Sequence, residues 1–344
     1  MGRLPQTWRV LVAEGLLDGR QVVRHADPKR LADSLQDAGV ASACGQQHLR
    51  IEQAAPRAGR GRMGGHQPID RHPHFGNKGS GAIDLYYEDQ GWGKPVVLIH
   101  GWPLSGRSWE KQVDPLLDAG HRVITYDRRG FGDSSRQASG YDYDVLADDL
   151  HKLMTKLDLH GATLVGFSMG TGEVARYLGT HGSRRVEKAV FISSVPPFVL
   201  QTPHSSGAVD AGAVDGIKKG IAADRLAALS TFLALGGSDV TEQIVQFSWN
   251  VASGTFAKGT MDCVQAWLTD FRNDLPRIDV PALVIHGNAD RILPIDVTGI
   301  PLSEAVEGSR LVVIDGGPHG LIWTHAEEVN RELLAFLDQQ ESCG

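Results

Sequence analysis

The 344-residue chain predicts an α/β architecture: a mostly parallel sheet with helices on both faces, interrupted by an all-helical insertion. Three observations carry that expectation. Short apolar runs rich in β-formers, such as PVVLIH (95–100), ATLVGF (162–167) and PALVIH (281–286), read as strands buried on both faces. Between them lie amphipathic stretches with helical spacing, and strands that alternate with helices pair in parallel. From about Phe198 to Pro276 the pattern turns to helices alone. Such an insertion reads as a cap over the strand ends, where open α/β sheets bind ligands.

In order, Ile83–Glu88 is expected as an edge strand and Pro95–His100 as a central one. Ser108–Ala119 is helical, with Trp109, Val113 and Leu116 on one face. Arg122–Tyr126 is the next strand. Asp144–Leu157 follows as a helix, N-capped by Asp144 or Asp142. Strand Ala162–Phe167 feeds a helix carrying Val174, Tyr177 and Leu178, which Gly182 stops. Val186–Ser193 is a strand ended by Val195-Pro196-Pro197. In the cap, Gly216–Leu235, Thr241–Val251 and Met261–Leu268 have helical patterns. Pro281–His286 and Arg310–Ile314 complete the sheet, and a helix from His325 to Leu337 closes the fold.

The core thus spans 79–197 and 277–344, with the cap at 198–276. Residues 1–78 differ: they are basic where the remainder is acidic, and rich in Arg, Gly, His and Pro without an apolar period. They are predicted to be a disordered or non-native extension, with one short helix at Pro28–Ala38. Three readings of this arm stand open: a nucleic-acid or anionic-surface tail, a metal-binding arm through His66, His72 and His74, or an extension the enzyme does not need, with Met63 as a later start. A hydrophobic content of 41% with 22% charged residues places the chain among ordinary globular proteins. The net charge of −7 argues against nucleic acid as a main partner. Cys44, Cys263 and Cys343 have neither disulfide-framework nor zinc spacing, which favours a cytoplasmic location. No apolar stretch is long enough to span a membrane, and the N-terminus lacks a signal-peptide pattern.

Chemistry is concentrated in Gly166-Phe167-Ser168-Met169-Gly170, a G-x-S-x-G motif between a strand and a helix. A sharp turn there forces the serine into a strained conformation and demands small residues two positions away on either side, which Gly166 and Gly170 supply. A serine hydroxyl needs a base, and the base needs an acid to fix its tautomer. In the α/β-hydrolase fold these follow in the order Ser, Asp, His. Asp290 lies just beyond strand Pro281–His286, and His319 just beyond strand Arg310–Ile314. Rivals have plainer readings: Asp315 as a turn residue, Asp296 as a helix start, His100 and His286 as structural hydrogen-bonding groups. Two backbone N–H groups should form an oxyanion hole, that of Met169 and that of Trp102 in the loop after strand Pro95–His100.

The stretches VVLIHGWPLSGRSWE, VITYDRRGFGDSS, GYDYDVLADDL, LVGFSMGTGEVARYL, HGNADRILP and GGPHGL, from about Gly79 to Leu337, resemble the cofactor-free, non-haem haloperoxidases of the α/β-hydrolase fold. These chloroperoxidase- and bromoperoxidase-type enzymes are also called perhydrolases. The resemblance implies a Ser168, Asp290 and His319 triad, an oxyanion hole from Trp102 and Met169, and neither metal nor haem. It implies a small carboxylic acid or ester as substrate. Ser168 would form an acyl-enzyme from it, and hydrogen peroxide would release a peracid that oxidises halide in solution. It also suggests a homo-oligomer, though no interface is identifiable. In perhydrolase-like members a proline after the oxyanion residue aims the preceding carbonyl at peroxide. Pro103 fits that role, or it only stiffens the loop. A carboxylesterase or lactonase with incidental peroxide activity is the alternative, and a ligand receptor with a retained triad is a more distant one. Trp249, Phe256, Trp267 and Phe271 are candidate pocket residues, or cap core.

Overall fold

The computed structural model describes residues 46–51, 83–200, 211–234 and 240–339. Its frame is an eight-stranded sheet: β1 (Gln46–Ile51), β2 (Ile83–Gln90), β3 (Pro95–Ile99), β4 (Arg122–Tyr126), β5 (Ala162–Phe167), β6 (Val186–Ile192), β7 (Ala282–Gly287) and β8 (Arg310–Ile314). The spatial order is β1-β2-β4-β3-β5-β6-β7-β8. The pairs β1–β2 and β2–β4 are antiparallel and the remainder parallel. From β3 the chain turns one way to β4 and then the other way to β5. This reversal opens a crevice at the carboxyl ends of β3 and β5, the switch point at which such sheets bind ligands.

Strand β3 is apolar throughout, and β5 nearly so, because both faces are covered. Val97, Ile99 and Leu164 face one core, shared with Leu146, Leu150 and Tyr177. Val96, Leu98 and Val165 face the other, shared with Leu116, Val329 and Leu333. The helices that supply these partners are α1 (Glu110–Asp118), α2 (Tyr143–Lys156), α3 (Met169–His181) and, at the end of the chain, Ala326–Leu337. Asp142 is the cap of α2, accepting from the Val145 N–H. The cap contributes α4 (Ala211–Ala223), α5 (Arg225–Ala234), α6 (Glu242–Ser253) and α7 (Ala257–Ala266). The helices α8 (Gly299–Ala305), α9 (Leu321–Thr324) and α10 (Ala326–Leu337) complete the fold.

Two expectations need correction. The strand at Ile83 is not at the sheet edge, because β1 pairs outside it in register from Gln46↔Glu88 to Ile51↔Ile83. The edge strand therefore comes from within 1–78, the stretch expected to be an extension outside the fold. Its sequence, QQHLRI, has two large apolar residues and no apolar run. It is a strand because β2 offers an open row of backbone groups, not because of its own pattern. The second correction concerns Gly216–Leu235, which is two helices. Asp224 lies between them, and its carboxylate accepts the Ala227 N–H and starts α5. The expected helix Pro28–Ala38, the histidines His66, His72 and His74, and Met63 lie outside the described residues.

Candidate active site

Ser168 sits between β5 and α3 with φ 51° and ψ −121°, a left-handed conformation costly for a residue with a Cβ. The backbone holds it there. Its N–H donates to Ile192 O at 2.9 Å, and its carbonyl accepts from the Thr171 N–H and hydroxyl. The flanking glycines are required by proximity: a Cβ on Gly166 would lie 2.6 Å from Gly170 O, and one on Gly170 would overlap Ile99 O. The turn thus lets α3 press against β3 and lifts the hydroxyl above the sheet.

Ser168 Oγ donates to His319 Nε2 across 2.9 Å, and His319 Nδ1 donates to Asp290 Oδ2 across 2.7 Å. An ionised carboxylate only accepts, so Nδ1 carries the ring proton and Nε2 is free to take one from the serine. All three side chains are largely buried. The other Asp290 oxygen accepts from the Ile292 and Leu293 N–H groups at 2.9 and 2.8 Å. Burial opposes the negative charge of Asp290. The opposing effects of His319 and of hydrogen bonds from His286, His319 and Leu293 prevail and hold it well below the usual carboxylate range. Asp315 accepts from Asn288 at an exposed turn, away from this chain of contacts.

Trp102, whose N–H was expected in the oxyanion hole, follows β3 after His100 and Gly101. Met169 is the first residue of α3, where helix N–H groups lack intrahelical partners. The Trp102–Pro103 peptide is cis. The Trp102 indole donates to Thr260 O in α7 and packs edge-on against Phe232 and Trp267, tying this loop to the cap. A cavity of about 590 Å³ opens over Ser168, Met169 and Trp102. Of the four aromatic candidates in the cap, Trp267 lines it among the described residues, while Phe271 packs on Tyr143.

The model of the family described as "alpha/beta hydrolase fold" matches residues 94–326. A protein of Synechocystis sp. named a putative non-heme chloroperoxidase is 59% identical, over 76% of this chain and 98% of its own. This chain belongs to the non-haem haloperoxidase family of α/β hydrolases. A bifunctional esterase/perhydrolase of Acinetobacter calcoaceticus is 35% identical, over 74% of this chain and 96% of its own. The crystal structure of a bromoperoxidase from Bacillus anthracis superimposes with a TM-score of 0.74 at 49% identity, covering 75% of this chain and 97% of that one.

Residue patterns alone did not reveal how this haloperoxidase-family site is braced. His286 was expected to have a structural role, and the structure puts it against Asp290. Its Nε2 faces Leu293 O at 2.8 Å and Asp290 Oδ2 at 3.3 Å, while Nδ1 accepts from the Ser194 N–H. A second brace was missed. Arg128 and Glu173 form a fully buried ion pair, and Tyr126 donates to Glu173 at 2.6 Å. Arg128 also donates from Nη2 to His100 O at 2.7 Å and from its backbone N–H to His100 Nε2 at 3.0 Å. Burial and the Arg128 charge push the His100 imidazole well below its ordinary value, which keeps it neutral. The pair therefore fastens the start of the Trp102 loop to α3, the helix that begins just after Ser168. No local signal marks it: Glu173 shares its side of α3 with Arg176 and Thr180, so the linear pattern does not single it out as buried.

Proposed function

We propose that the chain is a serine acyl-transfer enzyme of the perhydrolase type, in which Ser168, His319 and Asp290 form the triad. The observation that carries this reading is the unbroken chain Asp290–His319–Ser168, with 2.7 and 2.9 Å links, at a strained strand-to-helix turn. His319 removes the proton of Ser168 as Oγ attacks the carbonyl carbon of a carboxylic acid or ester. The Trp102 and Met169 N–H groups receive the oxyanion. Collapse expels water or an alcohol, which leaves with the proton from His319, and an acyl-enzyme remains. Hydrogen peroxide then gives a proton to His319 and attacks the acyl carbon. The Oγ–C bond breaks, Ser168 regains its proton, and a peracid leaves. The peracid oxidises bromide or chloride outside the protein. Water in place of peroxide completes ester hydrolysis by the same steps.

Pro103 belongs to this reading as a positioning residue. By restricting the backbone of Trp102 it sets where the Trp102 carbonyl points, and a carbonyl aimed at the acceptor can take a hydrogen bond from peroxide. Substrate is expected to be a small molecule bound under the cap. No described helix is long and apolar enough to cross a membrane. The test is ester cleavage measured beside acetate-, peroxide- and bromide-dependent dye halogenation, with and without chelator, for the full chain and Ser168→Ala. Acetate-dependent bromination that survives chelator and is lost in Ser168→Ala supports the reading. Ester cleavage without bromination makes the chain a carboxylesterase, and activity that persists in Ser168→Ala overturns the assignment.

A further inference from the structure

The space around Ser168 is divided. The larger cavity, about 590 Å³, is bounded by Ser168, Met169 and Trp102 below and by Val214, Ile217, Ile221, Phe232 and Trp267 of the cap above. Its described walls are apolar apart from Ser168, Thr231, Arg291 and backbone. A second space of only about 60 Å³ lies against His319 and Gly320, bordered by Leu104, Phe167 and Trp323. Trp102, Phe232 and Ile292 border both and form the partition. Ser168 lines the large space and His319 the small one.

Acyl transfer assigns a different group to each side. The acyl carbon is bonded to Ser168 Oγ, and its oxygen faces the N–H groups of Trp102 and Met169. Two substituents remain, the acyl chain and the departing or arriving oxygen. That oxygen must lie within hydrogen-bond reach of His319 Nε2, which protonates it on leaving and deprotonates its replacement on arrival. It therefore occupies the small space, and the acyl chain occupies the large one. At about 30 Å³ per water the small space holds two water-sized groups. The large one falls in the size range that encloses a drug-sized ligand.

Resting on the serine acyl-transfer reading, we propose that this enzyme selects an apolar acyl group much larger than acetyl, together with a leaving group or acceptor of very few atoms. Water, hydrogen peroxide and methanol qualify as acceptors. Esters of short acids with long alcohols are disfavoured. The division depends on the Trp102–Phe232–Ile292 partition, so loop and cap set specificity jointly.

Two isomeric esters decide the matter. Methyl hexanoate puts four methylenes more than methyl acetate into the acyl chain, and pentyl acetate puts the same four into the alcohol. Each buried methylene contributes about fourfold to binding, so kcat/KM for methyl hexanoate is expected on the order of 10² above methyl acetate. Pentyl acetate is expected at or below methyl acetate. Ile217→Trp, which fills the large space, is expected to lower kcat/KM for methyl hexanoate about tenfold more than for methyl acetate. Trp323→Ala, which opens the small space, is expected to raise pentyl acetate relative to methyl acetate. Equal rates for the two isomers, or a preference for pentyl acetate, overturn the assignment while leaving the serine mechanism intact. Absence of any Ser168-dependent ester cleavage overturns the underlying reading and this one with it.

Discussion

Replacing Asp290 with Asn separates the electrostatic role of that residue from its structural one. The oxygen that accepts from the Ile292 and Leu293 N–H groups survives in the amide, so the loop after β7 keeps its anchors. The other oxygen becomes an NH₂ group, and it faces two ring nitrogens, His319 Nδ1 at 2.7 Å and His286 Nε2 at 3.3 Å. Both donate in the native site, so donor would meet donor. His286 cannot readily change tautomer, because Nε2 also donates to Leu293 O and Nδ1 accepts from Ser194. His319 can change: its proton moves to Nε2, and Nδ1 accepts from the new amide. The nitrogen facing Ser168 then presents a hydrogen instead of a lone pair, and the base is lost. The expected fall in kcat is about 10⁴-fold, the size seen where an equivalent substitution traps the wrong tautomer. That equals about 5.4 kcal/mol of barrier at 1.36 kcal/mol per decade. The assay is steady-state hydrolysis of a methyl ester beside thermal unfolding, with a small change expected in midpoint. A loss in kcat below about tenfold in a folded variant would refute the argument that Asp290 acts by fixing the His319 tautomer.

Four further outcomes are expected. Glu173→Gln leaves the Arg128 guanidinium buried without its counter-charge and should cost about 3–5 kcal/mol in urea unfolding; a change under about 1 kcal/mol would mean that the pair is dispensable. Gly170→Ala forces its methyl into Ile99 O, so α3 and Ser168 must shift; kcat should fall by about 10² or more, and wild-type turnover would contradict the close approach. Pro103→Leu should lower the ratio of perhydrolysis to hydrolysis, and an unchanged ratio assigns the proline to loop stiffness alone. Asp290 has a folded pKa depressed below its unfolded value of about 3.9, so its contribution to stability is complete above that pH and is lost as pH falls further. The acid-side decline of the urea midpoint below about pH 4 should be shallower in Asp290→Asn than in the wild type, and identical profiles would remove Asp290 as a source of it.

Legibility in the sequence followed how local each signal is. Strands β3 to β8 each carry an apolar run, and in β3, β5 and β7 burial of every residue leaves no polar alternation to confuse it. Ser168, Asp290 and His319 stood out as candidates because each lies in the loop just after a strand, and chain order fixes which loops meet at one sheet edge. The structure brings these three within hydrogen-bond distance. Strand β1 was not identifiable, since its place comes from an open backbone row on β2 and not from its own side chains. The role of His286 was half visible: its position at the end of β7 suggested a structural bond, but not that the bond reaches Asp290. Trp267 was found among the pocket candidates, while Phe232 and Ile292 were not, because nothing local marks which cap residues will converge.

The sequence by itself determined the alternation of strands and helices, the helical insertion between β6 and β7, and the placing of Ser168, Asp290 and His319 in loops that follow three strands. Those features depend on residue type and on spacing within one element, which a linear pattern records. The tertiary structure alone decided the edge strand, the buried Arg128–Glu173 pair behind the Trp102 loop, and the partition of the site into a large and a small space. Each of these depends on segments tens of residues apart meeting at atomic distances. A charge, a ring or an open strand edge acquires its role only from the partner that folding places against it.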